Sequence, residues 1–109
     1  MPLATNEKKA LDLLRKVLEE EYGLIDLRIF GSKAKGHDTA ESDIDVMIVL
    51  ERSNPQIESE IDDLVFELNI QFDCLIVPLY FAHEELISGP LDESPVYKKA
   101  LAEGIAWRS

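Results

Sequence analysis

The residues with the clearest chemical potential are two aspartates, Asp43 and Asp45, which are separated by one apolar residue. They precede the apolar run Val46–Leu50, which is typical of a central strand buried on both faces. Because successive strand side chains alternate, both carboxylates are predicted on one face, about 7 Å apart along the chain. Two carboxylates so placed can share divalent cations during phosphoryl transfer, and hard oxygen ligands favour Mg²⁺, with two ions expected. Taken alone, the same pair can equally be a polar strand end beside a loop.

A glycine–serine pair, Gly31 and Ser32, lies upstream of these aspartates and directly follows a segment that ends at Phe30. Glycine permits a sharp turn after a strand, so that the backbone amides of the turn can bind phosphate oxygens. The Ser32 hydroxyl adds a further donor, and Lys33 and Lys35 bring positive charge to the same place. Such turns are common, so this one predicts phosphate binding only together with the aspartates.

Two further residues complete the candidate site. Ser42 can either cap the start of the strand or contact a phosphate, and the sequence leaves both roles open. Asp73 interrupts an apolar segment, Ile70–Val77, that is predicted to form a third strand. Because an isolated buried carboxylate is costly, we expect Asp73 to face Asp43 and Asp45 and to complete a triad around the metal ions.

Hydrophobic periodicity predicts the elements that must hold these residues. The segments are, in order, a helix from Thr5 or Asn6 to Gly23, a strand from Leu24 to Phe30, a strand from Asp43 to Leu50, a helix whose cap is supplied by Ser53-Asn54-Pro55 with proline in the first turn, the third strand, and a last helix from Ser94-Pro95 to Gly104. This order predicts an α/β (α+β) fold, a small mixed β-sheet with helices packed on it. We expect one domain spanning residues 1–109.

Composition restricts the partners. The chain has 22 acidic and 11 basic residues, a formal charge of −11, which repels nucleic acids and anionic membranes, so neither is expected as a partner. A small polyanion such as ATP can still bind where Lys33 and Lys35 lie beside a metal ion. The single cysteine, Cys74, is predicted to be a buried thiol, and no apolar run approaches the roughly 20 residues that span a bilayer. We therefore expect a cytoplasmic protein.

One longer pattern spans residues 31–46. It consists of Gly31-Ser32-x-Ala34-x-Gly36 and, after five residues, Ser42-Asp43-Ile44-Asp45-Val46. Together with a later aspartate, this pattern resembles the signature of the DNA polymerase β-like nucleotidyltransferase superfamily, specifically its minimal nucleotidyltransferase (MNT) domains. The resemblance implies that the glycine–serine turn binds the triphosphate, that Asp43 and Asp45 ligate Mg²⁺, and that Asp73 binds metal or deprotonates the attacking hydroxyl. Lys33 and Lys35 depart from the arginines frequent in the family, and lysine cannot grip phosphate in the bidentate manner of arginine.

The resemblance also implies a reaction and a partner. The reaction is transfer of AMP from ATP to a hydroxyl, and 109 residues leave no second lobe to enclose a small acceptor. Stand-alone MNT domains are typically encoded with a HEPN toxin, a ribonuclease, which they neutralise by adenylylating (AMPylating) a tyrosine. The chain is thus expected to be a type VII-like antitoxin. Val96, Tyr97 and Trp107 are candidate docking residues, which the sequence does not separate from residues of the core. Two alternatives stay open: a module that neutralises its partner by contact alone, and the nucleotide-binding subunit of a two-chain small-molecule nucleotidyltransferase.

Overall fold

The structure, a computed structural model, describes residues 3–31, 43–88 and 95–108. The elements are α1 (Thr5–Glu21), β1 (Leu24–Phe30), β2 (Ile44–Leu50), α2 (Pro55–Phe72), β3 (Ile76–Ala82), α3 (His83–Ser88), α4 (Pro95–Glu103) and β4 (Ile105–Ala106). The strands form one sheet in the order β3-β2-β1-β4, in which β2 and β3 are parallel and the other pairs are antiparallel. The predicted mixed sheet with packed helices is confirmed. Within these ranges, every helix is too short or too polar to cross a membrane.

The two long helices, α1 and α2, pack on one face of the sheet. The first turn of α1 is closed by the Ala4 N–H, which donates to Glu7 Oε1 at 2.8 Å. The predicted cap of α2 is confirmed, because Asn54 Oδ1 accepts the Ile57 N–H at 2.9 Å. Both helices bury their apolar stripes against the sheet. This main core includes Leu11, Leu14, Leu18, Ile61, Val65 and Leu68 of the helices and Leu27, Ile29, Ile44, Val46, Ile48 and Leu50 of the strands.

Strand β2 is buried on both faces, as its uninterrupted apolar run predicts. Its even-numbered residues lie in the main core. Met47 and Val49 lie instead in a second, smaller core with Phe81 of β3 and Ala100 of α4. We call this side of the sheet the α4 face. Because strand side chains alternate, the other odd-numbered residues of β2 and β3 belong to the α4 face too.

The predicted third strand, Ile70–Val77, is wrong at its start. Helix α2 continues through Phe72, which packs against the main core one turn after Leu68. Asp73 then ends the helix in a left-handed conformation, with φ 51°. Phe72 therefore extends the buried stripe of a helix, whereas Ile70 lies on the exposed side of that helix. The sequence alone did not separate this helical period from a short strand.

The strand itself begins later than predicted and runs to Ala82. Pro78 lies within it, and a proline is tolerated there because β3 is the edge strand of the sheet. The side chain of Asn6 fixes the connection from α2, since its amide donates to the carbonyl oxygens of Phe72 at 2.6 Å and Asp73 at 3.3 Å. The junction that feeds β3 is thus tied to the start of α1.

Strand β4 was not predicted. Its two residues, Ile105 and Ala106, pair with Ile29 and Arg28 of β1, which makes β4 the opposite edge of the sheet. The Trp107 N–H extends the pairing by donating to the Leu27 carbonyl at 2.8 Å. A two-residue strand is too short to produce a recognisable alternation in the sequence.

Candidate functional site

Three segments meet around Asp45, at the end of the sheet where β1 ends and where β2 and β3 begin. Strand β1 is antiparallel to β2, so that its last residue, Phe30, pairs with Asp45. Strand β3 is parallel to β2, so that both strands start at the same end of the sheet. Val77 of β3 pairs with Asp45 on the side opposite to Phe30. Asp45 therefore lies between the end of β1 and the start of β3, on the α4 face. Asp43 directly precedes β2 and is exposed at the same end of the sheet.

Gly31 is packed directly against Asp45. Its φ of +75° is a left-handed conformation that side chains other than glycine rarely adopt. A Cβ built on Gly31 would lie 2.5 Å from Asp45 Oδ2, closer than such atoms can approach. The sequence assigned Gly31 to a phosphate-binding turn, and the structure adds that its missing side chain leaves the space that the Asp45 carboxylate occupies.

The electrostatics of the site favour a cation. Partial burial raises the pKa of the Asp45 carboxyl above its usual value, and the negative charge of Asp43 raises it further. Neither aspartate forms a salt bridge with a described lysine or arginine; Arg28, on β1, pairs with Asp26 at 2.7 Å instead. Two carboxylates whose charge is not compensated by any described lysine or arginine fit Mg²⁺, which commonly binds one or two carboxylates together with substrate phosphates.

The predicted carboxylate triad is not formed. Asp73 is the exposed residue that ends α2 rather than a strand residue facing Asp43 and Asp45. Within residues 3–31, 43–88 and 95–108, no three His, Cys, Asp or Glu side chains lie close enough together to hold a metal ion. The strand neighbour of Asp45 on this side is Val77, an apolar residue.

The predicted nucleotide-binding residues Ser32, Lys33, Lys35 and Ser42 lie outside the described residues, and their contacts stay predictions. Two of the predicted docking residues are packing residues. The Tyr97 ring lies 5.4 Å from that of Phe81, and Trp107 packs against the main core. The side chain of Val96 is not among those described.

The site thus consists of a small mixed sheet with a glycine packed on a strand-end aspartate, and comparisons with known proteins identify the family. The nucleotidyltransferase domain family matches residues 11–101. The chain therefore belongs to this family and is a nucleotidyltransferase. Among sequence relatives, a candidate protein adenylyltransferase of Methanocaldococcus jannaschii is 28% identical over 100 residues, which cover 92% of each chain.

Solved structures share the fold at low identity. A toxin–antitoxin crystal structure with AMP-PNP has a TM-score of 0.64 at 17% identity and covers 94% of this chain and 73% of that one. The structure of a candidate minimal nucleotidyltransferase has a TM-score of 0.61 at 18% identity and covers 96% of this chain and 98% of that one. The crystal structure of a candidate nucleotidyltransferase of Sulfolobus solfataricus has a TM-score of 0.52 at 14% identity and covers 97% of this chain and 89% of that one. At these identities the likeness confirms the fold alone.

Proposed function

We propose that this chain transfers AMP from ATP to a tyrosine hydroxyl of a partner protein, a HEPN toxin, and thereby acts as its antitoxin. The observation that carries the proposal is the packing of Gly31 on Asp45, beside Asp43, where β1 ends and β2 begins. The names of two similar proteins support it: one is a candidate protein adenylyltransferase, and the other is a toxin–antitoxin structure with AMP-PNP.

The triphosphate of ATP binds on the β1 side of Asp45. The chain has a left-handed conformation there at Gly31, directly after Phe30, and a glycine turn after a strand can present backbone amides to phosphate oxygens. Ser32, Lys33 and Lys35 follow in the sequence and add a hydroxyl and positive charge. A chain with net charge −11 needs such local donors to hold a polyanion.

Mg²⁺ is the metal that Asp43 and Asp45 would hold. When bound, it supplies positive charge that offsets the charge developing on the phosphoryl oxygens. With two protein carboxylates at the site, the phosphates of ATP supply further ligands, which is the usual manner of Mg²⁺ binding.

The step is an in-line displacement at the α-phosphorus. The acceptor oxygen forms a bond to that phosphorus, the bond to the oxygen bridging to the β-phosphorus breaks, and pyrophosphate leaves with the electron pair. The hydroxyl proton passes to solvent. The chain's own contribution is to hold the triphosphate at the turn and to keep Asp43 and Asp45 together at the start of β2.

The test is to incubate the full chain with its co-purifying partner, ATP and Mg²⁺, and to weigh both proteins by mass spectrometry. We expect an adenylyl increment on a tyrosine of the partner and its loss in the Asp43→Asn variant. Asp63→Asn, which changes an exposed aspartate on α2, is the matched control and should transfer AMP normally. A tight complex without any increment would favour the alternative, a module that neutralises its partner by contact.

A further inference from the structure

We propose that the edge strand β3 forms the acceptor side of the active site, where Leu75, Val77 and Leu79 receive a tyrosine ring of a basic partner protein. We call these three residues the β3 stripe. The inference rests on the proposed AMP transfer and specifies where the acceptor binds and which chemistry it has.

The β3 stripe is an exposed apolar row alongside the acidic residues. Val77 and Leu79 alternate along the strand, Leu75 directly precedes it, and Leu75, Val77 and Leu79 are 48%, 40% and 36% exposed. Phe81, which continues the same alternation, lies in the small core and so assigns the row to the α4 face. Val77 pairs with Asp45, and the Leu75 carbonyl accepts the Ile44 N–H at 2.7 Å, which extends the pairing to the start of β2.

The reaction geometry assigns the acceptor to this side. In an in-line displacement, the attacking and leaving oxygens lie on opposite sides of the phosphorus. If pyrophosphate leaves from the Gly31 turn, the leaving group lies on the β1 side of Asp45. The acceptor hydroxyl then arrives from the opposite side, where Val77 is the strand neighbour of Asp45.

The chemistry of the stripe selects the kind of acceptor. A polyhydroxylated small molecule would leave hydroxyls unpaired against apolar side chains, which costs free energy. A tyrosine instead presents an apolar ring with a hydroxyl at its tip, so that the ring can cover the stripe while the oxygen reaches the phosphorus. The formal charge of −11 favours a partner that carries positive charge around that tyrosine.

The position of the stripe also fits a large partner. Strand β3 is an edge of the sheet, so that a protein can approach it without displacing a neighbouring strand. Edge strands usually carry charged residues or proline, which prevent them from pairing with a strand of another chain. Here Pro78 removes one backbone donor while the flanking stripe residues stay apolar. This combination opposes strand addition and leaves side-chain docking on the α4 face.

Binding can be measured without catalysis. Methyl NMR spectra of the full chain, saturated with Mg²⁺ and AMP-PNP, are recorded with a blocked lysine–tyrosine–lysine peptide and with the same peptide carrying serine. We expect the methyl signals of Leu75, Val77 and Leu79 to shift with the tyrosine peptide and to stay in place with the serine peptide. Unshifted stripe signals, or equal shifts with both peptides, would overturn the proposal.

Kinetics give a second readout. A double variant, Val77→Thr and Leu79→Thr, keeps residues that favour strands and removes apolar contact. We expect its KM for the tyrosine peptide to rise about tenfold, with unchanged affinity for AMP-PNP. The control is Phe66→Gln with Ile70→Gln, which changes two more exposed apolar residues on α2 and should leave KM unchanged.

The two proposals fail differently. If the tyrosine peptide and the partner protein both stay unmodified, AMP transfer to tyrosine is wrong, and the methyl shifts still decide whether the stripe binds a tyrosine ring. If transfer occurs but the double variant keeps a normal KM, or an aminoglycoside is modified as well as the tyrosine peptide, the acceptor proposal is wrong.

Discussion

The two sides of Asp45 differ in what the structure demands of them. On the β1 side, Gly31 has a left-handed backbone and no space for a side chain, so a single residue type is acceptable. On the β3 side, Val77 and Leu79 are exposed on an edge strand, where many residues would fold equally well. The contrast teaches that one side of Asp45 is fixed by packing while the other is free to vary, which suits our proposal that the first binds the triphosphate and the second binds the acceptor.

The largest expected effect is that of Asp45→Asn. Losing the charge should lower AMP transfer by on the order of a thousandfold, because the amide is a poorer ligand for Mg²⁺. The fold should be kept, since Asn is the same size and relieves the repulsion from Asp43. Transfer rates and thermal unfolding with and without Mg-AMP-PNP measure both effects, and we expect the nucleotide to stabilise the wild type far more than the variant.

Asp73→Asn is the matched comparison for that variant. Asp73 is exposed and has the left-handed conformation that asparagine also adopts readily, so the change should leave stability and transfer close to wild type. A loss as large as that of Asp45→Asn would mean that Asp73 joins the site in the nucleotide complex, as the sequence predicted.

A smaller effect is expected for Gly31→Ala. The new Cβ would displace the Asp45 carboxylate, so we expect transfer to fall about a hundredfold, and the left-handed backbone should cost about 1–2 kcal/mol of stability. Gly23→Ala is the control, because Gly23 also has a positive φ, +65°, but its nearest side-chain atoms belong to Glu51. It should lose similar stability and keep its activity. Equal activity losses in the two variants would contradict a special role for Gly31.

The smallest effect concerns Cys74, at the entry to the β3 stripe. Burial raises the pKa of its thiol, and the negative charges of Glu7 and Asp73 raise it further. Less thiolate is therefore present at a given pH, so alkylation of Cys74 should be slower in the folded than in the unfolded chain. The pH at which the alkylation rate increases should also be higher in the folded chain. Rates of iodoacetamide labelling across a pH series, in the native and urea-unfolded protein, test this. An identical pH profile in both states would refute it.

Sequence reasoning succeeded where one residue type has one physical use. The Asn54 cap, the doubly buried β2 and the sharp turn at Gly31 each follow from local chemistry and were all predicted. It failed where the same residues suit two structures. Ile70 and Phe72 fit a strand or the last turn of a helix, and α2 continues because Phe72 gains burial against the main core.

The error in that segment spread to the site. Once Asp73 ends a helix, it no longer has a place on the strand beside Asp45, and the register instead gives that place to Val77. Register and strand order depend on contacts between segments far apart in sequence, which local patterns do not encode. The exposed β3 stripe was missed for the same reason, because the predicted third strand ended at Val77, before Pro78 and Leu79.

The packing of Gly31 on Asp45 has a consequence for protein engineering. The Asp45 carboxylate occupies the space that a side chain at position 31 would need. The effects of substitutions at the two positions on stability and activity should therefore not be additive. Glutamate at position 45 would keep the charge but bring one more methylene into the turn. The site thus distinguishes two carboxylates by their length, and an exchange that conserves charge is not conservative at this position.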